Sequence, residues 1–566
     1  VLLAACNPAG SDSSAAQPVA ETLTTTDYPI PPGALFVATN GNDYAPGDQA
    51  RPLRSLGEAV RRAQPGATIV LREGTYRETV GIIDKKLSIQ PFPHERVWLK
   101  GSRVVSQWVR DGKAWRHDGW DVPLCRTCFM PEIIDPAYPQ AGLPDMAFVD
   151  GRPLRQVGDR RSVTVGTFYV DVGRKQLLIG EDPTGRLVEA TEFDWLLQFD
   201  GAGAAGSSLR GIGIAHYGSI QKYGQRGAMV VVNAPAVTLE HNTFAASAST
   251  GAAIFQPDAN VTHNRFLDNG LVGLVANRAD GLKLSANTFA RNNNEHFSLT
   301  GEAIGAAGAK VTRTKRAWVS DNTFADNIGT GWWCDLGCTD AVVVRNIARG
   351  NVVNGLYYEV SARALIASNI VVGNGGRGIK ISSSDHVRLV HNTLIDNGLA
   401  IGLYNDKRSP HSDRYSEEQG LSWVTSNTEL LNNFLIRQHD AEPFMEAEDH
   451  KPYPQPIAPF ISASDGNAYL REAGSAPLGT WSLGAGNIVT IFTLPRLRER
   501  TGQDLHSLAG APSPAPFRDP GRGDYSLRES ATGFRAGRPL PRDVARIVGV
   551  NPNDHPNIGV LSGPRV

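Results

Sequence analysis

Asp335 closes the run Gly331-Trp-Trp-Cys-Asp, and Glu359 closes Gly355-Leu-Tyr-Tyr-Glu, so each acid stands four residues after a glycine that opens a short β-prone segment. The same slot holds Ser382 in the next run, Gly378-Ile-Lys-Ile-Ser, and Asn405 in the one after, Ile401-Gly-Leu-Tyr-Asn. Strands stacked in register lie about 4.7–4.9 Å apart, which would make the two acids neighbours. Like charges directly opposite one another on a sheet are destabilising, so a catalytic use explains the pair better than a structural one. Two carboxyl groups about 5–5.5 Å apart suit a glycosidase that retains anomeric configuration, one as nucleophile and the other as acid/base. Their repulsion raises the pKa of one member, as a general acid requires. Trp333 and Tyr357, two positions earlier, offer flat faces to a sugar ring, and Lys380 in the same column offers a cation. The bland alternative is a pair of solvated acids on an exposed sheet.

A repeat must bring these residues together. Asn346, Asn369 and Asn392 follow one another at intervals of 23 residues, and Asn242, Asn264, Asn287, Asn322 and Asn433 occupy the same slot. Longer steps are one repeat plus an insertion. Units of this length with no helical period predict a solenoid of three short strands per coil, an all-β right-handed parallel β-helix. Asn suits the tight turn because it tolerates the left-handed region, and stacked Asn side chains can hydrogen-bond along the ladder. Alternation along each strand places Trp332, Cys334, Leu356, Tyr358, Ile379 and Ile381 inward. The outward columns are expected to run Val275, Ser298, Trp333, Tyr357, Lys380, Leu403 and Asn277, Thr300, Asp335, Glu359, Ser382, Asn405.

The pattern Gly-x-Trp-x-Asp, followed one coil later by Gly-x-x-x-Glu-x-Ser, resembles the catalytic coils of β-helical glycoside hydrolases of the β-xylosidase type, within the pectin-lyase-like superfamily. The resemblance implies Asp335 as nucleophile and Glu359 as acid/base, with no metal or cofactor. It is specific over these two coils and general elsewhere. Two other readings fit the same scaffold. A polysaccharide lyase would use Lys380 and Arg408 to neutralise a uronate carboxylate, with Ca²⁺ held by the two acids. A surface glycan-binding protein would use no chemistry at all.

The remaining sequence frames this centre. A net charge of −1 and a pI near 7.0 give no sign of a nucleic-acid partner. Leu3-Ala-Ala-Cys6 matches a bacterial lipobox followed by a small polar tether, so residues 1–33 read as a lipoprotein signal remnant and linker, with lipid on Cys6 and an extracytoplasmic location. In residues 34–102, Ser55 and Glu58 form a capping box for a short helix that closes the first coil. Residues 103–196 lose the ladder and read as an inserted β-rich domain carrying Trp108, Trp115 and Trp120. The solenoid core spans 197–440, and 441–566 reads as terminal coils and a cap. Outside the cytoplasm, Cys125, Cys128, Cys334 and Cys338 favour disulfides over zinc, in a pairing that spacing leaves open. Insertions after Thr300 and after Asn405 are expected to rise from the turn beyond the two acids and wall a pocket suited to short or chain-end substrates. Glu295, His296, Asp406, Lys407 and Arg408 lie near that edge, His296 and Arg408 among them as candidate substrate ligands.

Overall fold

The computed structural model describes residues 23–219, 227–300, 305–437, 442–451, 458–472 and 475–560. Cys6, and Gly301–Ile304 of the first insertion, lie outside the described residues.

Short runs of β-branched and aromatic residues between tight turns build three 13-stranded sheets, each taking one strand from every coil in sequence order. Pairing within them is parallel, except where Gly479–Ser482 meets Ile488–Ile491 antiparallel at the end of one sheet. The fold is the expected parallel β-helix. Its interior is an apolar column in which Phe244, Phe266, Phe289 and Phe324 stack coil upon coil, with ring centroids 4.7–5.1 Å apart. An α-helix, α1 (Leu56–Arg62), is capped by Ser55, whose hydroxyl accepts from the Glu58 amide, and it buries Leu56, Ala59 and Val60 against the first coils.

The asparagine ladder is continuous from Asn242 to Asn467. Each Nδ2 donates to Oδ1 of the next rung, as from Asn346 to Asn369 and from Asn369 to Asn392, at 2.9–3.1 Å. These amides are buried, and every rung also accepts a backbone N–H, so none is left unsatisfied. The expectation about backbone conformation needs correction. The left-handed residue is the one before the ladder position: His263, Ala286, Asp321, Arg345, Ser368 and His391 have φ of 53–59°. The asparagine is selected for its amide. A second ladder, unforeseen from the sequence, stands five residues further on: Asn269, Asn292, Asn327, Asn351, Asn374 and Asn397 are linked at 2.8–2.9 Å.

The sheet that carries the acids has six strands of interest: β1 (Val272–Asn277), β2 (Ala307–Thr312), β3 (Thr330–Asp335), β4 (Leu356–Glu359), β5 (Arg377–Ser382) and β6 (Leu399–Asn405). Trp332, Cys334, Leu356, Tyr358, Ile379 and Ile381 all join the central core, so alternation turns Trp333, Asp335, Tyr357, Glu359, Lys380 and Ser382 outward.

A second compact unit comprises Arg103–Val122 and Asp145–Ala190. It is built on an eight-stranded sheet with mostly antiparallel pairing, and Phe148, Phe168, Leu177 and Leu178 are buried in it. Trp120 is buried beneath the Arg103 guanidinium at 4.4 Å, and Trp108 donates to the Val105 carbonyl. Residues 123–144 belong to the solenoid unit. The cysteines form two local disulfides, Cys125–Cys128 and Cys334–Cys338.

Candidate active site

Register decides which side chains meet. Val275, Lys310, Trp333, Tyr357, Lys380 and Gly402 form one outward column. In the next, Asn277 and Thr312 lead to Asp335, while Glu359 leads to Ser382 and Tyr404. β3 and β4 pair Trp333 with Tyr357 and Cys334 with Tyr358, so Asp335 and Glu359 are the next residues in the same register.

Both columns depart from expectation at their ends. Lys310 and Thr312 replace Ser298 and Thr300, because the first insertion enters before its strand rather than after it. Gly402 and Tyr404 replace Leu403 and Asn405, because the turn after Asn397 is one residue shorter than the turn after Asn374, shifting β6 by one position. Leu403 therefore points into the core. Asn405 is fully buried; its Oδ1 accepts from the Thr425 amide at 2.6 Å and its Nδ2 donates to Asp449. It staples the base of a loop and stays out of the column. His296 sits in the first insertion, stacked on Tyr138 at 4.2 Å, and has no bond to either acid.

The loop from Asp406 to Asn427 leaves β6 and reaches Glu359 through Arg408. It carries a one-turn helix, α2 (Arg414–Glu418), begun by Asp413, whose carboxylate accepts from Ser416 and pairs with Arg313 at 2.6 Å. Leu421 and Trp423 anchor the loop on Val360, Ala362 and Leu336. Gly337, at φ 98°, brings the turn after Asp335 so close to Tyr415 and Leu421 that an added Cβ would crowd both, and the Cys334–Cys338 disulfide closes this turn. The path of the loop delivers Arg408 to Glu359. Asp406 holds the guanidinium at 2.7 Å and accepts the Arg408 amide at 2.8 Å.

Both acids point away from the solenoid core and yet are nearly covered, Asp335 at 5 % exposure and Glu359 at 6 %. Each is matched by a cation and a hydrogen-bond donor. Lys310 Nζ lies 3.1 Å from Asp335 Oδ2, and the Leu336 amide donates to Oδ1 at 2.7 Å. Glu359 receives Arg408 on Oε1 and the Trp333 indole on Oε2 at 2.9 Å. Burial, then the charge of Asp335, pushes the Glu359 carboxyl up, against Arg408, Lys310 and Lys380. The Tyr357 phenol is pushed well up by burial and by Glu359. The aromatic wall is continuous: Trp333 and Tyr357 stack at 5.2 Å, Lys310 Nζ lies 3.4 Å from the Trp333 centroid, and Lys380 Nζ lies 4.3 Å from that of Tyr357. Ser382 continues the acid column in register with Glu359.

Lys310 and Tyr404 were missed in the sequence, since finding them needs the strand boundary after an insertion. The motif Ala-Gly-Ala-Lys310, preceding the Asn322 coil, was the available signal. In the first insertion, burial raises the Glu295 carboxyl to about 7 and lowers the His296 imidazole.

This geometry can be set beside known proteins. Residues 227–397 match the family model described as the right handed beta helix region. The structure of XylC in complex with xylose aligns at a TM-score of 0.62 with 14% identity, over 86% of this chain and 87% of that one. A GH136 lacto-N-biosidase from Eubacterium ramulus aligns at 0.40 and 11% over 78% and 67%. In sequence, the uncharacterized protein YwoF of Bacillus subtilis (strain 168) is 30% identical over 95 residues, 16% of this chain and 20% of that protein, so the chain spans about a fifth of this relative. The chain thus folds as a right-handed parallel β-helix, a fold it shares with XylC.

Proposed function

We propose that this protein is a carbohydrate-active enzyme, a retaining glycoside hydrolase acting on short or chain-end glycans, with Asp335 as nucleophile and Glu359 as acid/base. The observation that carries the reading is the stacking of these two acids on adjacent coils of one outward face, both covered and each matched by its own cation. In the first step an Asp335 oxygen bonds to the anomeric carbon as the glycosidic C–O bond breaks, and the Glu359 proton passes to the departing oxygen. In the second, Glu359 takes a proton from water, whose oxygen displaces Asp335. Lys310 pairs with Asp335 and holds its carboxylate in place for attack, and the environment of Glu359 favours the protonated form its first task needs. Trp333 and Tyr357, stacked on each other and flanked by Lys310 and Lys380, line the site beside the acids, and the loop carrying Arg408 closes one side of a pocket. A double displacement of this kind calls for no metal or cofactor.

Two disulfides suit a location outside the cytoplasm, and a lipid on Cys6 would be the only tie to a membrane. The pairing of Lys380 with Arg408 also suits a lyase that neutralises a uronate, with Ca²⁺ on the acids. A screen of aryl glycosides and uronate polymers, run with chelator, separates the two. Reducing sugar released by wild type and abolished in Asp335→Asn and Glu359→Gln supports the hydrolase. An unsaturated product, or variants as active as wild type, overturns it.

A further inference from the structure

Lys380 differs from the other partly buried cations around the acids. Lys310 is paired with Asp335, Arg408 with Glu359 and Asp406, and Arg377 with Glu446 at 3.0 Å. Among the described residues Lys380 has no carboxylate at ion-pair distance and no oxygen accepting from its ammonium. Its neighbours are two ring faces, Tyr357 at 4.3 Å and Tyr404 at 5.4 Å.

The second ring is a built feature. Gly402 pairs with Lys380 in register, and a Cβ on Gly402 would collide with the Tyr404 ring and with Arg377. The missing side chain lets Tyr404 fold back along its own strand toward Lys380. Tyr404 is locked there by its hydroxyl, which accepts from Arg377 Nε at 2.8 Å and donates to Glu446. Two aromatic faces hold an ammonium and replace part of its lost water, but they accept none of its three N–H bonds. Burial accordingly holds the Lys380 ammonium below the usual lysine range.

We infer that the substrate of the proposed glycosidase carries an anionic group, a carboxylate or a sulfate ester, and that Lys380 is its partner. The inference rests on the reading of Asp335 and Glu359 given above. Lys380 stands one coil beyond Tyr357 and diagonally from Glu359, at about 7–8 Å between such neighbours, so its ligand belongs to the sugar being cleaved or to the one beside it. The local charge agrees. Once Glu359 is protonated for its first step, Lys310, Lys380 and Arg408 face Asp335 and Asp406, and one negative charge from the ligand restores balance.

The test is a matched panel of aryl glycosides: neutral hexosides, the corresponding hexuronides, and hexosides sulfated at O6. The expected result is that kcat/KM of wild type favours one anionic class over its neutral counterpart by at least tenfold, and that Lys380→Met lowers this ratio tenfold or more at an unchanged melting temperature. Preference for hexuronides identifies the carboxylate, and preference for sulfated hexosides the sulfate. For a panel that gives no turnover, calorimetry of the free neutral and anionic monosaccharides with Asp335→Asn reads the same ratio as affinity. Equal or better use, or binding, of neutral sugars overturns the inference, as does a ratio that Lys380→Met leaves in place. Asp335-dependent hydrolysis with no preference for either anionic class would refute the anionic ligand while sustaining the glycosidase, whereas tight anionic binding without hydrolysis would do the reverse.

Discussion

The Trp333 indole donates to Glu359 across one coil, Nε1 to Oε2 at 2.9 Å, while its ring lies between the Lys310 ammonium of the preceding coil and the Tyr357 ring of the following one. Stacking therefore fixes the donor, and the donor fixes the rotamer of the proposed acid/base. A hydrogen bond to a charged group contributes about 1.5–3 kcal/mol, and it favours the carboxylate over the acid. Trp333→Phe keeps the stack and removes the donor. The Glu359 carboxyl, already raised by burial and by Asp335, rises further. Because Glu359 must be protonated to act, the alkaline limb of kcat/KM is expected to move up by about one pH unit, and kcat to fall as the carboxyl loses its orientation. A pH–rate profile checks this, and an unmoved limb contradicts it.

Lys310 makes the corresponding prediction for the nucleophile. Removing one partner of a buried ion pair costs about 3–5 kcal/mol, because the other charge is left uncompensated. Lys310→Met should lower stability by that order and reduce kcat at least a hundredfold, as Asp335 loses the cation that holds it in place. The double variant Lys310→Met/Asp335→Asn should recover most of the stability and none of the activity. Denaturant unfolding of Lys310→Met, Asp335→Asn and the double variant shows whether the pair is coupled in this way.

The ladder predicts a cost far from the chemistry. Asn346 accepts from the Asn322 amide at 3.0 Å and donates to the Val319 carbonyl and to Asn369, all at 2.9–3.0 Å. Asn346→Leu would orphan several buried polar groups at about 1–3 kcal/mol each. The expected outcome is a loss of several kcal/mol in unfolding free energy, whereas Asn551→Leu, at an exposed position, should change it little.

His391 sets a pH limit on the cap. Its Nδ1–H donates to the Gly559 carbonyl at 3.0 Å and its Nε2 accepts from Asn432 at 3.1 Å, so the fold requires the neutral ring. Burial lowers its pKa from 6.5 to about 4. A depressed folded-state value gives stability that is fully present above about pH 6.5 and lost as pH falls toward 4 and below. The difference corresponds to about 3 kcal/mol. His391→Gln should flatten that part of the stability profile, and a profile unchanged by the substitution contradicts the assignment.

What the sequence makes legible follows from periodicity. Asn346, Asn369 and Asn392 recur at one interval, so coil length, sheet number and the inward or outward sense of Trp332 to Glu359 can be counted directly. Counting fails where a turn changes length. One missing residue before Ile401 exchanges Leu403 and Asn405 for Gly402 and Tyr404, since side-chain facing has a period of two and a single-residue slip inverts it. The insertion ahead of Ala307 hid Lys310 for the same reason. Arg408 was visible as a charge on a loop, but its contact with Glu359 depends on how Leu421 and Trp423 seat that loop, which no local pattern encodes.

The central claim, that Asp335 becomes covalently bonded to sugar while Glu359 serves as acid and base, is tested most directly by trapping. A 2-deoxy-2-fluoro glycoside with an activated leaving group, matched to whichever aryl glycoside the enzyme cleaves, slows release of the intermediate more than its formation. Peptide mass spectrometry should then find one sugar on the Asp335 peptide in wild type and none in Asp335→Asn. A label on another residue, or turnover that yields the inverted anomer with no label, would contradict the account.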